Sequence, residues 1–300
     1  SNTKRPLAVG TEAKLMIGRT PGNIVAIRPL KDGVIADFDV AQTMIKKLID
    51  KVASKSAFTS PRIIVCYPSG VTEVERRAIE EATRNAGARE VVLMEEPMAA
   101  AIGAGLPVGE PTGSMIVDIG GGTTEVAIIS LGGIVTSKSL RVAGDELDQS
   151  IIAYVKKEFN LMIGERTAED IKISIGTVFP GNKDEKMEVR GRDLVTGLPH
   201  TITLSSDEVE EALRESVYSI IHAAKGILEQ TPPELSADIS DRGIYMTGGG
   251  CLIDGLDKLL QERTGINVMV AQDSVSCVAL GTGKALDNLD VLDGKKRLKK

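Results

Sequence analysis

The 300 residues suffice for one large core or two ordinary domains, and 42% hydrophobic with 26% charged residues is a globular composition. Aromatics make up 3% and tryptophan is absent, so the core must be aliphatic, and nucleic-acid binding by base stacking is disfavoured; a net charge of −6 argues against polyanion partners in general. No apolar run reaches membrane-spanning length and no signal peptide opens the chain, while Cys66, Cys251 and Cys277 lie far apart in apolar runs, which fits buried thiols in a reducing compartment: a cytoplasmic protein is expected. With His200 and His222 as the only histidines, a histidine-based catalytic or metal site is not expected.

In chain order, Asp39 is placed to cap a helix running to about Val52, with Val40, Met44, Ile45, Leu48, Ile49 and Val52 on one face. A loop at Phe58-Thr-Ser-Pro61 leads into a buried strand, Arg62-Ile-Ile-Val-Cys-Tyr67, stopped by Pro68. Thr72 and Glu75 form a capping-box pattern for a helix ending at Gly87. Val91–Met94 is a short strand that delivers Glu95-Glu96-Pro97 into a small-residue helix, Met98-Ala-Ala-Ala-Ile102. A β-meander follows over Ser114–Ile119, Glu125–Ser130 and Ile134–Val142, joined by glycine turns. Gly144-Asp145-Glu146 opens an amphipathic helix to about Phe159, and Thr167–Ile175 reads as a short helix. The polar stretch Pro180 to Pro199 suits hairpins. Ser205 and Glu208 cap a long helix to about Gln230, ended by Pro232-Pro233. Arg242–Thr247 is a strand running into Gly248-Gly249-Gly250, and helix, strand (Asn267–Val270) and helix (Ser274–Leu286) complete the chain. Strands alternating with helices around one meander indicate an α/β fold. The closing Lys295-Lys296-Arg297-Leu298-Lys299-Lys300 is either a solvated tail or a weak electrostatic contact for an anionic membrane.

Ser114-Met-Ile-Val-Asp118-Ile-Gly120-Gly121-Gly122-Thr123-Thr124-Glu125 carries the most chemistry. An apolar strand ends on an aspartate, and three glycines follow whose backbone amides can close on an anion without Cβ interference. Asp118 stands where a hydrated Mg²⁺ would sit beside a phosphate, and phosphoryl chemistry needs little beyond such positioning and neutralisation. A glycine-rich hairpin turn is the alternative for this segment alone. Tyr245-Met-Thr247-Gly248-Gly249-Gly250 repeats the strand-then-glycine arrangement, and together the two suggest opposite walls of a nucleotide cleft. Rival phosphate motifs fail. Gly281-Thr-Gly283-Lys284-Ala285 lacks the leading glycine and final Ser/Thr of a P-loop, and no strand-linked G-x-G-x-x-G has its downstream acid. Glu96 could orient a water on a γ-phosphate or simply cap its helix. Glu169 and Lys172, three apart on one helix face, could hold a ribose or form a surface ion pair.

Asp118–Glu125, Glu95-Glu96-Pro97-Met-Ala-Ala-Ala-Ile-Gly103 and Gly164-Glu-Arg-Thr-Ala-Glu169-Asp-Ile-Lys172 resemble the bacterial actin family of MreB and Mbl. So do Ile17-Gly-Arg-Thr-Pro-Gly-Asn23, Asp32-Gly-Val-Ile-Ala-Asp37, Thr231-Pro-Pro-Glu-Leu235 and Thr247–Gly250, in the family's order over nearly the whole chain. The resemblance implies a two-lobed, actin-like (ribonuclease-H-like) ATPase fold, α/β with mixed sheets flanked by helices. It implies a first lobe at 1–110, with about 1–33 in its small subdomain, and a second-lobe core at 111–148 and 243–287. It further implies a second-lobe small subdomain at 149–242, with the basic tail at 288–300.

The resemblance also assigns roles. Asp118 would hold Mg²⁺ through water; Gly120, Gly121, Gly122 and Thr123 would cradle phosphates of ATP or ADP; Glu96 would position the hydrolytic water. Glu169 and Lys172 would face ribose and adenine, with Gly248, Gly249 and Gly250 opposite. The loop Ser56-Ala57-Phe58, between Lys51, Lys55 and Arg62, matches the position of a hydrophobic membrane loop, the alternative being that Phe58 packs on its own domain. The family pattern starts with a strand hairpin carrying a first phosphate loop of Asp-Leu-Gly-Thr type. The 300 residues contain no such sequence, and the likeness begins after it, as it does after the N-terminal amphipathic anchor of some members.

The implied function is slow, Mg²⁺-dependent ATP hydrolysis coupled to homopolymeric filaments on the inner face of the cell membrane. These would organise wall elongation and rod shape with inner-membrane lipids and elongation components such as RodZ, MreC and MreD, and without nucleic acid. Two other classes remain in view: a sugar- or acetate-type metabolite kinase of the same superfamily, and a nucleotide-dead module that joins filaments.

Overall fold

The computed structural model describes residues 6–52 and 60–287, so the Ala57–Phe58 loop and the basic tail lie outside the described residues. The chain forms two compact units. One runs through Tyr67 and then from Val71 to Met94; the other takes Pro68–Gly70 and everything from Glu95 onward. Among the described residues no helix is long and apolar enough to cross a membrane.

In the first unit, a short helix α1 (Thr11–Lys14) precedes a two-stranded hairpin, β1 (Leu30–Lys31) and β2 (Val34–Ile35). Asp32 and Gly33 turn it with φ of 50° and 76°, the left-handed geometry that an Asp-Gly pair adopts most readily. Helix α2 (Phe38–Val52) begins earlier than the sequence suggests. Asp37, not Asp39, accepts the Val40 N–H at 3.0 Å and caps it, because Phe38 already takes helical geometry. Strand β3 (Arg62–Tyr67) hydrogen-bonds to β4 (Glu90–Glu95), with α3 (Glu73–Asn85) between them in sequence. Thr72 and Glu75 form the expected capping box on α3. Arg62 and Glu90 tie β3 to β4 across 2.8 Å.

The second unit is built on a five-stranded sheet ordered β12-β11-β5-β6-β7. Strands β5 (Ser114–Ile119), β6 (Thr124–Ser130) and β7 (Gly133–Leu140) form the antiparallel meander, while β11 (Ile244–Thr247) runs parallel to β5 and to β12 (Val268–Val270). One face of the sheet carries Met115, Val117, Ile119, Val126, Ile128, Ile244 and Met246 into the main core. Helix α7 (Ser206–Glu229) covers that face, α5 (Gly144–Phe159) packs on α7 in the same core, and α7 opens on the expected Ser205–Glu208 capping box. A full burial of one such side chain is worth about 1.5–3 kcal/mol. The other face carries Ile116, Ala127 and Ile129 against α4 (Glu96–Gly103), which packs tightly on α10 (Cys277–Asp287).

Three details depart from the sequence reading. The Pro180–Pro199 stretch forms one hairpin, β9 (Lys186–Asp193) with β10 (Pro199–Ser205), which β8 (Leu161–Met162) extends to three strands. Pro232 and Pro233 end α7 but also start α8 (Pro233–Arg242), since proline in the first turn lacks only an amide that would have no helical partner. The helices after the second glycine cluster and before the chain end, α9 (Leu256–Thr264) and α10, are each preceded by a 3₁₀ turn, at Gly249–Leu252 and Ser274–Ser276. Helix α6 (Glu165–Ile175) ends where expected and starts two residues before Thr167.

Candidate functional site

The strand period of two decides which side chains meet. Asp118 lies two residues beyond Ile116 and therefore faces α4, not the main core. Register sets Glu125 of β6 opposite it on one side and Thr247 of β11 on the other. Ser139 of β7 is opposite Glu125 in turn. The Thr247 hydroxyl donates to Asp118 Oδ1 at 2.8 Å. Glu125, fully buried, accepts the Ser139 hydroxyl at Oε1 (2.5 Å) and the Ser69 N–H at Oε2 (3.0 Å).

Glu96 is the first residue of α4, followed by Pro97, and the helix lies over this same face. Three carboxylates thus converge. Burial first, then the charges of Asp118 and Glu125, push Glu96 up to about 8. Burial pushes Glu125 up to about 7 against the opposing hydrogen bonds from Ser139 and Ser69. Asp118 is likewise raised by burial, opposed by Thr247. Crowded acids in a dry site favour a cation. Among the described residues no group of three His, Cys, Asp or Glu is close enough to hold a metal together. Asp118, buried at the strand end with Glu125 and Glu96 close enough to act on each other, has the hard oxygen chemistry that would suit a hydrated Mg²⁺, the ion that most readily keeps its waters.

The turn between β5 and β6 is closed by Gly120 N–H donating to Thr123 O at 2.9 Å. Its carbonyls point at α5: Gly144 N–H donates to Gly120 O (3.1 Å) and Asp145 N–H to Gly121 O (2.7 Å). The carbonyl side being committed to the helix, the amide side is what the turn can offer an anion. The second glycine cluster packs against Ile119, the last residue of β5. Gly248 has φ 81°, and a Cβ there would overlap the Ile119 backbone, while one on Gly250 would run into the Ile119 side chain; Gly249 has open space. Two of these three glycines are thus required by close approach to β5. Cys251 donates its thiol to Gly248 O at 3.0 Å, and burial pushes that thiol up to about 11, so it is a packing residue.

Lys172 of α6 reaches the start of α5, the helix that holds the turn between β5 and β6. Its Nζ lies 2.7 Å from Asp148 Oδ1 and donates to Gly144 O at 2.7 Å. The lysine is thus tied across helices to Asp148 and to the first residue of α5, contacts the sequence reading did not anticipate. The structure brings Asp118, Glu96, both glycine clusters and Lys172 to one end of the second unit's sheet. Ala57 and Phe58 lie outside the described residues. Sequence reasoning gave no role to Glu125, Thr247 or Asp148. The first was visible as an acid inside the otherwise apolar run of β6, and the last as an acid between the core residues Leu147 and Ile151 of α5.

A mixed sheet with two neighbouring parallel strands, each ending in a polar side chain and a glycine cluster, under a helix opened by an acid, is the arrangement this chain shares with actin-like proteins of solved structure. The MreB/Mbl protein family model matches residues 1–294. The chain is 58% identical to the cell shape-determining protein Mbl of Bacillus subtilis over 98% of its own length and 89% of the relative's. It is 58% identical to the cell shape-determining protein MreB of Escherichia coli, over 97% and 84%. The crystal structure of MreB5 of Spiroplasma citri bound to AMPPNP superimposes with a TM-score of 0.91 at 38% identity, over 98% of this chain and 88% of that one. The chain belongs to the MreB/Mbl family of actin-like cell-shape proteins.

Proposed function

We propose that this protein binds ATP with Mg²⁺, hydrolyses it slowly and polymerises head to tail into filaments on the inner face of the cell membrane, where they organise wall elongation. The observation that supports the reading is the register of Thr247 against Asp118, by which the ends of β11 and β5, each followed by its glycine cluster, lie side by side. Mg²⁺ held from Asp118 through water would neutralise charge on the phosphates. The amides of Gly121, Gly122 and Thr123 would cradle those phosphates, with Gly120, whose N–H closes the turn on Thr123 O, holding its shape, and Glu96 would orient the attacking water. Glu169 and Lys172 would border ribose and adenine, with Gly248–Gly250 opposite. Lys172, held by Asp148 and the Gly144 carbonyl, would act there more by fixing the turn than as a free charge. Membership in a family of cell-shape proteins favours this over metabolite phosphorylation.

Sedimentation of the full-length protein with and without ATP and Mg²⁺ tests the reading. Pelleting that requires both, together with phosphate release, is expected; a protein that neither pellets nor forms filaments would sink it.

Membrane attachment is proposed through Ala57 and Phe58, by a weak anchor repeated along a filament. Phe58→Ser should reduce co-sedimentation of assembled filaments with anionic liposomes several-fold while leaving assembly in solution unchanged. Equal liposome binding by wild type and variant would remove this loop from the membrane contact. RodZ, MreC and MreD are the proposed protein partners.

A further inference from the structure

Glu125 is a fully buried carboxylate that no step of the proposed hydrolysis uses. It sits on the strand that leaves the phosphate turn, one residue after Thr124. One of its oxygens is held by Ser139 on the neighbouring strand, so the side chain has a fixed base. The other accepts the backbone N–H of Ser69. Ser69 belongs to Pro68–Gly70, the three residues by which the chain leaves the first unit after Tyr67, joins the second unit, and returns at Val71. The segment is seated closely. Pro68 is buried, and a Cβ on Gly70 would come within 2.9 Å of Ser139 Cβ.

An unpaired buried carboxylate costs several kcal/mol, so a site that keeps one needs its donors. Here one donor is supplied by a side chain and the other by the backbone of a connecting segment. The same carboxylate lies close enough to Glu96 to act on it electrostatically. Glu125 therefore holds the Pro68–Gly70 segment by a hydrogen bond and acts electrostatically on the acid assigned to the water.

We infer that Glu125 is a positioning residue for hydrolysis: by accepting the Ser69 N–H it fixes Pro68–Gly70 beside Glu96, and so fixes the place of the attacking water. This rests on the ATPase reading above. The role is geometric and needs a hydrogen-bond acceptor of this shape. Glutamine meets that need, since its carbonyl oxygen can accept from Ser69 while its amide donates to Ser139, whose hydroxyl can reverse. Alanine does not.

The test compares Glu125→Ala and Glu125→Gln in the full-length protein. Single-turnover phosphate release and binding of a fluorescent ATP analogue are measured with Mg²⁺, along with amide hydrogen exchange over residues 67–72. Glu125→Ala is expected to slow phosphate release roughly 10–100-fold, the range of a displaced catalytic constellation. ATP affinity should stay within about threefold, and exchange at Ser69 should accelerate by about tenfold. Glu125→Gln should restore release to within about threefold of wild type and keep Ser69 protected. The inference is overturned if both variants lose turnover equally, because charge and not the Ser69 contact would then be at work. Unchanged turnover or unchanged Ser69 exchange in Glu125→Ala overturns it as well, as does a loss of affinity matching the loss of rate. A wild-type protein that neither binds the analogue nor releases phosphate instead defeats the ATPase reading itself.

Discussion

Glu96→Ala should slow phosphate release about 100-fold while leaving ATP affinity within about threefold, measured by single-turnover release and analogue binding. A positioned acid–base group contributes about 10²–10⁴-fold, whereas Glu96 at the start of α4 makes no contribution to gripping the phosphates in the proposed arrangement. Loss of binding instead of rate would contradict its role. The same residue makes stability depend on pH. In the folded chain Glu96 is pushed up to about 8 from the ordinary 4.5, by burial and then by Asp118 and Glu125. Between those values the folded protein keeps a proton that the unfolded chain releases, so stability falls as pH rises through the window, by up to about 1.4 kcal/mol per pH unit. Glu96→Gln removes that loss. In denaturant melts without nucleotide, wild type and variant should agree near pH 4.5 and diverge progressively towards pH 8, with the variant more stable. A constant offset across the range would show that Glu96 titrates normally. A bound cation near Asp118 offsets the two neighbouring charges, so Mg²⁺ and ATP together should narrow the gap.

Gly281→Ala should destabilise the second unit by about 3 kcal/mol, the upper range of overpacking, in thermal or urea unfolding. Helices α4 and α10 meet through glycine. A Cβ on Gly281 would overlap the Ala99 carbonyl and come within 2.7 Å of the Gly103 nitrogen, and one on Gly103 would overlap the Cys277 carbonyl. These obstacles are backbone, which cannot rotate aside. Gly283, one residue past the next in the same helix, has nothing within 4 Å. Gly283→Ala should therefore be neutral or stabilising by up to about 1 kcal/mol through helix propensity and unfolded-state entropy. Equal effects at the two positions would mean that α4 and α10 are not in glycine-mediated contact. Because α4 carries Glu96 on its first turn, Gly281→Ala should also lower phosphate release at temperatures where the protein remains folded.

The two capping boxes were legible because their chemistry is local: Thr72 with Glu75 and Ser205 with Glu208 act across three residues. The start of α2 was read two residues late because Asp37 and Asp39 both suit a cap, and only the backbone of Phe38 decides between them. Helix α8 was missed because two prolines read as a stop, although proline also begins helices.

For the site, the sequence alone determined the pieces: an apolar strand ending in Asp118, glycines where a Cβ would obstruct, an acid before Pro97, and a family likeness spread over the whole chain. Each is a property of a few adjacent residues. Tertiary structure alone decided their mutual arrangement. Thr247 meets Asp118 across 129 positions, Glu125 meets Ser69 across 56, and Lys172 of α6 meets Asp148 of α5. Strand period gives each of these side chains a face, but the parallel pairing of β11 with β5 chooses which faces coincide. That pairing is set by burial of Met115, Val117, Ile244 and Met246 in a shared core, a cooperative property of the whole unit that no local pattern encodes.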